Sequence, residues 1–184
     1  MLTTLVFHRN MLKLYRNIKD LFLDVVNAVY TDIDYSENLT IGVKWEPQSL
    51  HWSKMQVTVH SSLVKYGQEK LYHPYISDTR VHDQVFVHKV LKEMIDHTDA
   101  PDDVPLVIES DNCTGQYKST HHFYHIQSLA DKYNRPIIQL YGIANHGKGE
   151  VDHVGGVAKV AVRRSISGGA IYISIESSAE LTVT

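Results

Sequence analysis

The spacing of apolar residues changes along the chain, and each change predicts a new element. Residues 9–24 carry apolar positions at helical intervals. An apolar, β-prone run over about 28–35 predicts a first strand, and the alternating segments 56–65 and 70–77 predict a hairpin. Pro74 lacks a backbone N–H, so we expect the third strand to lie at the edge of its sheet.

The second half of the chain alternates between helical patterns and short apolar runs. The predicted elements are a helix from an Asp83 cap to about His97, a strand over 104–110, a helix over about 119–133, a strand over 136–142 and a helix over about 151–167. The order β-β-β-α-β-α-β-α predicts an α/β fold of the ribonuclease H-like type, with a mixed five-stranded sheet flanked by helices.

The length of 184 residues suits one main domain. We expect an N-terminal helical segment over 1–24, a ribonuclease H-like domain over 25–169 and a C-terminal tail over 170–184. A polar insertion of about 36–55 interrupts the domain. Because the helical pattern begins close to the first residue, we expect that this chain is part of a longer protein.

Composition narrows the class of protein. Apolar residues make up 43% and charged residues 21%, which favours a packed core over disorder. The net charge of −3 gives no global basic signature, so a nucleic acid would have to be held by a local patch or through metal ions. Cys113 is the only cysteine, which excludes an internal disulfide and favours a reducing compartment, nuclear or cytoplasmic. No apolar run approaches the ~18 residues of a membrane span, so we expect no membrane association.

Three aspartates stand at the ends of predicted elements. Asp34 ends the first strand, Asp111 follows the fourth, and Asp152 opens the last helix. If the first and fourth strands are neighbours and the last helix crosses them, the three carboxylates converge and repel one another unless cations join them. Oxygen ligands select Mg²⁺ or Mn²⁺, and two such ions can clamp a phosphodiester, with Asp34 as the bridging ligand. Glu150, two residues before Asp152, is the alternative third ligand.

The spacing of these acids and the short sequence motifs around them resemble those of a known family. Asp111 and Asp152 are 41 positions apart, close to the gap between the last two acids of integrases and DDE/D transposases. Residues 34–38, Asp-Tyr-Ser-Glu-Asn, resemble a D-F-x-E-N element, and residues 110–118 resemble S-D-x-x-x-x-Q-x-K. Residues 145–156 resemble G-H-G-K-G-x-x-D-x-x-G-G, with asparagine at the first position. Together they resemble transposon-derived proteins of metazoan repetitive elements.

That resemblance implies a DNA-cleaving and strand-joining enzyme of the DDD transposase type. It would cut DNA with an activated water and join strands by 3′-hydroxyl attack, using two divalent ions. The residues expected to contact DNA are Asn112, Gln116, Lys118, His146 and Lys148. A homo-oligomer is compatible with the sequence, which does not define the oligomeric state.

Other interpretations stay open. A domesticated, inactive domain could serve as a nucleic-acid or protein interaction module. The phrase Asp32-Ile33-Asp34-Tyr35-Ser36 also matches haloacid-dehalogenase-like phosphatases, with Asp32 as nucleophile and Asp34 as general acid, although the later motifs match poorly. The histidines at 121, 122 and 125 have a spacing that suits zinc, but without a cysteine pair we favour surface or core histidines.

Overall fold

The protein is described here by a computed structural model that covers residues 11, 13–41, 55–78, 81–101, 103–142 and 150–167. Outside these residues lie positions 42–54 of the predicted insertion, the loop with His146 and Lys148, and the tail over 170–184.

Five strands form one mixed sheet in the described part of the chain. They are β1 (Val29–Ile41), β2 (Met55–Tyr66), β3 (Glu69–Ser77), β4 (Leu106–Ser110) and β5 (Ile137–Tyr141). Their spatial order is β3-β2-β1-β4-β5. β1 pairs with β2, and β2 with β3, in antiparallel fashion, whereas β4 is parallel to both β1 and β5. The prediction of a mixed α/β fold is confirmed, and so is the edge position of the strand that contains Pro74.

Helices connect and cover these strands. They are α1 (Leu21–Val25, in π-helical geometry and preceded by helical residues 11 and 13–20), α2 (Gln84–Asp96), α3 (Thr114–Tyr117), α4 (Thr120–Tyr133) and α5 (Glu150–Ser167). The predicted cap of α2 is confirmed, because Asp83 Oδ1 accepts a hydrogen bond of 3.0 Å from the backbone N–H of Phe86. Ser119 caps α4 in the same way, accepting from the backbone N–H of His122 at 3.0 Å.

Two features differ from the prediction. β1 does not end near residue 35 but continues to Ile41, so the first six residues of the predicted insertion, 36–41, are strand. Long-range pairing with β2 extends the strand across an irregularity between Ser36 and Leu39, and a polar local pattern does not reveal such pairing. The short helix α3 was not predicted. The buried side chain of Tyr117 anchors it, and the backbone N–H of Tyr117 bonds to Cys113 O at 2.9 Å.

Alternation along the central strands divides the core between the two faces of the sheet. On one face, Val29, Ile33 and Ile108 belong to the main cluster, which packs against α2 and α4. On the other face, Tyr30 and Val107 form a smaller cluster with residues of α1. Farther along that second face, α5 contributes Ala158 and Val162, which pack against Leu39, Val57 and Val59. Within the described residues, no helix is long and apolar enough to cross a membrane.

Candidate active site

Asp34 lies in the central strand of the sheet, on the face that α5 covers. β1 places it opposite Ser61 of β2, and two residues earlier Asp32 lies opposite Glu109 of parallel β4. The same register extended by two residues brings Asp111, just beyond β4, to the side of Asp34. The prediction that the strands carrying Asp34 and Asp111 are adjacent and parallel is therefore confirmed.

A glycine lets α5 approach this part of the sheet closely. A Cβ atom added to Gly155 would lie 1.9 Å from Ser36 Oγ and 3.0 Å from Ser61 Oγ. Ser36 is two residues after Asp34, and Ser61 is its direct partner across the antiparallel pair. Asp152 is three residues before Gly155, about one helical turn, so it lies over the same part of the sheet. The close contact at Gly155 thus brings Asp152 to Asp34.

The pKa of Asp34 reflects its proximity to Asp152. Burial above all, and then the negative charges of Asp152 and Asp111, raise the pKa of Asp34 to about 7. Asp152 is close enough to share a hydrogen bond with Asp34. Among the described residues, however, no three His, Cys, Asp or Glu side chains are already arranged around a single ion position. The three acids are brought together as a charged cluster, with Asp34 and Asp152 as its tightest pair.

Asp111 begins a loop that is tied to β5. Its Oδ1 accepts a 2.9 Å hydrogen bond from the backbone N–H of Cys113, and the residue is exposed. The next side chain, Asn112, donates through Nδ2 to Gly142 O, while the Gly142 N–H donates to Ser110 O at 2.7 Å. These bonds hold the start of the loop in place and so define the position of Asp111.

A second pair of acidic residues lies beside Asp34, Asp111 and Asp152. Asp32 and Glu109 lie side by side in the parallel register. Lys19 Nζ forms a 2.9 Å ion pair with Glu109 Oε2, and the Tyr30 hydroxyl donates to the same oxygen. Burial and then the charge of Glu109 raise the pKa of Asp32 to about 7, against the opposing influence of Lys19 and Lys65. The two-residue period of a strand already put Asp32 on the face of Asp34, a signal that sequence reasoning did not use for this site.

Glu150, the alternative third ligand, is held elsewhere. Its Oε2 lies 3.2 Å from Lys65 Nζ and 3.1 Å from Lys70 Nζ. These ion pairs attach the first residue of α5 to β2 and β3. Asp152 has the largest effect of any neighbouring charge on the pKa of Asp34.

The predicted DNA-contacting residues in the described part of the chain make internal contacts. Gln116 Nε2 donates to His82 O at 3.4 Å. Lys118 Nζ donates to Asn112 Oδ1 and lies 4.3 Å from the ring centroid of Tyr141. All three predicted residues, Asn112, Gln116 and Lys118, therefore help to shape the loop after Asp111. His146 and Lys148 lie outside the described residues.

The three histidines considered for zinc are not equivalent. His121 is exposed, His122 is fully buried and His125 is half-buried. His122 and His125 meet a fourth histidine, His88 of α2, which the sequence pattern did not associate with them. This group lies on the face of the sheet covered by α2 and α4, opposite to the carboxylates.

Comparison with known proteins gives a family but no activity. No curated protein matches the chain. A family model described as a domain of unknown function, DUF8701, matches residues 14–183, which is nearly the whole chain. The chain therefore belongs to the DUF8701 family.

Proposed function

We propose that this chain is a ribonuclease H-like catalytic domain of the transposase type, which cleaves DNA and transfers strands with Asp34, Asp111 and Asp152 as ligands of two Mg²⁺ or Mn²⁺ ions. The observation that carries the proposal is the environment of Asp34. Burial first, and then the charges of Asp152 and Asp111, raise the pKa of this half-buried carboxyl to about 7. Clustered carboxylates of this kind are costly to ionise, and a divalent cation removes that cost.

The topology supports the same proposal. β1 and β4 are parallel neighbours at the centre of the sheet, and α5 packs against β1 and β2. The chain order of two hairpin strands after β1, followed by alternating helices and strands, is the order expected for a ribonuclease H-like domain. The three sequence elements that resemble transposon-derived proteins contain Asp34, Asp111 and Asp152 in turn.

Each ligand in this proposal would be positioned by a different element. Strand β1 holds Asp34 in a central, half-buried place suited to bridging two ions, and the loop bonds of Asn112 orient Asp111. The close contact of Gly155 with the sheet orients Asp152. When bound, the two ions would stabilise the charge on the attacking and leaving oxygens of the phosphodiester. Asp32 and Glu109 would form the buried acidic surroundings of this site, balanced by Lys19.

Contacts with DNA would come from residues around the carboxylates. Lys118 and Gln116 are half-buried and make internal contacts, so we assign them first to loop shaping and only second to the DNA backbone. His146 and Lys148 remain proposed phosphate-binding residues. The phosphatase interpretation would need a later lysine and a paired-acid Mg²⁺ motif after a strand, which Asp111 and Asn112 match poorly.

The decisive test is nicking of supercoiled plasmid, and joining of a pre-cut DNA end, by the full natural protein with Mn²⁺. Asp34→Asn, Asp111→Asn and Asp152→Asn should each lower the rate by at least about 10²-fold, the effect of losing one transition-state contact. Glu150→Gln is the matched control, since Glu150 bonds to lysines and should retain most of the activity.

Three outcomes discriminate among the hypotheses. If Glu150→Gln is inactive and Asp152→Asn is active, the third ligand is Glu150. If all three aspartate variants match wild type, the active-site assignment is wrong. If the wild type binds DNA and metal but neither cuts nor joins, the domain is an interaction module. Circular dichroism and calorimetric titration of Mn²⁺ on each variant separate loss of fold from loss of ion binding.

A further inference from the structure

A stack of three histidines joins α2 to α4. The ring of His88 lies parallel to that of His125, with centroids 3.8 Å apart and planes 13° apart. The ring of His122 is 5.5 Å from that of His88 at an angle of 25°. Tyr117 closes the stack from α3, its ring perpendicular to His122 at 6.1 Å. These imidazoles add ring contacts between the two helices to those of the apolar residues in the main core cluster.

Each imidazole keeps one nitrogen that is hidden from water. His88 Nε2, His122 Nδ1 and His125 Nε2 are buried and have no hydrogen-bond partner among the described residues. The opposite nitrogen of His122, Nε2, lies 3.4 Å from Gln139 Oε1. A proton added to any hidden nitrogen would place a charge in a dry contact without an acceptor, a position that is costly for an ion.

The charged and titratable neighbours do not offset that cost. Asp83, at the start of α2, favours the protonated form of His88, whereas His121 and the two partners in the stack oppose it. From the other elements the groups facing the stack are the Tyr117 ring of α3 and the neutral Gln139 amide of β5. Burial above all, and then His125 and His122, lower the pKa of His88 to about 4. Burial also lowers the pKa of His122, against the hydrogen bond to Gln139, and the pKa of His125, against a hydrogen bond to the backbone of His88.

The arrangement is not that of a metal site. Parallel rings place the nitrogen lone pairs side by side, so they do not converge on one point. No group of three potential ligands among the described residues is arranged for an ion. The stack is thus a packing contact made of groups whose protonation is shifted to lower pH by burial.

We propose that the His88–His122–His125 stack is a proton-sensitive joint, closed while its rings are neutral and opened by acidification. When it opens, α4 loses the ring contacts of His122 and His125 with His88 of α2. Ser119, which caps α4, also donates to Gln84 Oε1 of α2, so the disturbance would reach the start of α4 and the loop that carries Asp111. This inference does not rest on the proposed nuclease activity.

The sign of the effect follows from proton linkage. An unfolded chain binds protons at these histidines near the ordinary pKa of 6.5, and the folded joint binds them only at lower pH. The stabilising contribution is therefore complete above about pH 6.5 and is lost as pH falls toward the folded pKa values. Each histidine can raise the unfolding constant by at most about tenfold per pH unit within that window.

The first measurement is an NMR titration of the histidine rings in the wild-type protein, which needs no variant. His88 should titrate well below pH 6.5. A value at or above 6.5 would overturn the proposal.

The second measurement compares urea unfolding between pH 5 and 8 for wild type, His88→Phe and His121→Phe. Phenylalanine keeps the ring stack but cannot be protonated. On acidification the unfolding constant of His88→Phe should therefore rise less steeply than that of wild type, by a factor of up to about ten per pH unit. The exposed His121 provides the matched control, which should keep the wild-type slope. Equal slopes in both variants would refute the joint. A Zn²⁺-induced rise in wild-type melting temperature that disappears in His88→Phe would also refute it, in favour of a metal site.

Discussion

Gly155→Ala tests whether the approach of α5 to the sheet creates the carboxylate cluster. The new Cβ would lie 1.9 Å from Ser36 Oγ, about 1.5 Å inside the 3.4 Å at which ordinary contacts begin. Rotation of the Ser36 hydroxyl could relieve that contact. It would leave the Cβ 3.2 Å from Ser36 Cβ and 3.0 Å from Ser61 Oγ. Either the two serines or the helix must then shift by a few tenths of an ångström, and we expect the helix to shift from β1 and β2 together with Asp152.

The expected magnitudes separate position from stability. Overpacking typically costs about 1–3 kcal/mol, and replacing a helical glycine by alanine returns about 1 kcal/mol. The net loss of unfolding free energy should thus be about 0–2 kcal/mol. Mn²⁺ affinity should fall more sharply, on the order of 10–100-fold, because a supporting contact of a ligand is lost. Thermal unfolding and calorimetric titration measure the two quantities on the same sample.

The neighbouring Gly156 supplies the matched control. It is exposed, and an added Cβ would meet nothing within 4 Å, so Gly156→Ala should gain about 1 kcal/mol and leave Mn²⁺ affinity unchanged. Combining Ser36→Ala with Gly155→Ala removes the shortest contact and should restore part of the affinity. The reasoning is refuted if Gly155→Ala behaves like Gly156→Ala in both stability and ion binding.

Two further predictions concern the acids and a helix cap. Because burial and Asp152 raise the pKa of Asp34 from 3.8 to about 7, protein in chelator should lose stability as pH rises from about 4 through 7. Asp34→Asn should remove part of this pH-dependent loss of stability, measured as the melting temperature between pH 5 and 8. An unchanged dependence of the melting temperature on pH would contradict the assignment of the raised pKa to Asp34. Asp83→Ala should lower the free energy of unfolding by about 1 kcal/mol in urea, because the Phe86 N–H loses its cap, whereas Asp83→Asn should retain most of it. Equal losses in the two variants would argue against capping.

The sequence by itself determined the element order and the places of the three acids. Apolar periodicity and cap residues such as Asp83 are local signals, and they predicted each helix of more than one turn and each strand, except the second half of β1, close to its observed position. Asp111 and Asp152 could be selected because the ends of elements can be read locally. The prediction that Asp34 ends the first strand was wrong, because pairing with β2 continues β1 to Ile41 and leaves Asp34 inside the strand. The edge position of β3 followed from the missing N–H of Pro74.

Only the tertiary structure decided which side chains meet. The length of β1 depends on pairing with β2. The side-by-side position of Asp32 and Glu109 depends on the register of β1 against β4. The meeting of His88 with His125 depends on how α2 packs on α4. Gly155 could be read as a helix-weakening residue until its distance from Ser36 was known. Contacts between residues far apart in the chain arise from register and packing, which local patterns do not encode.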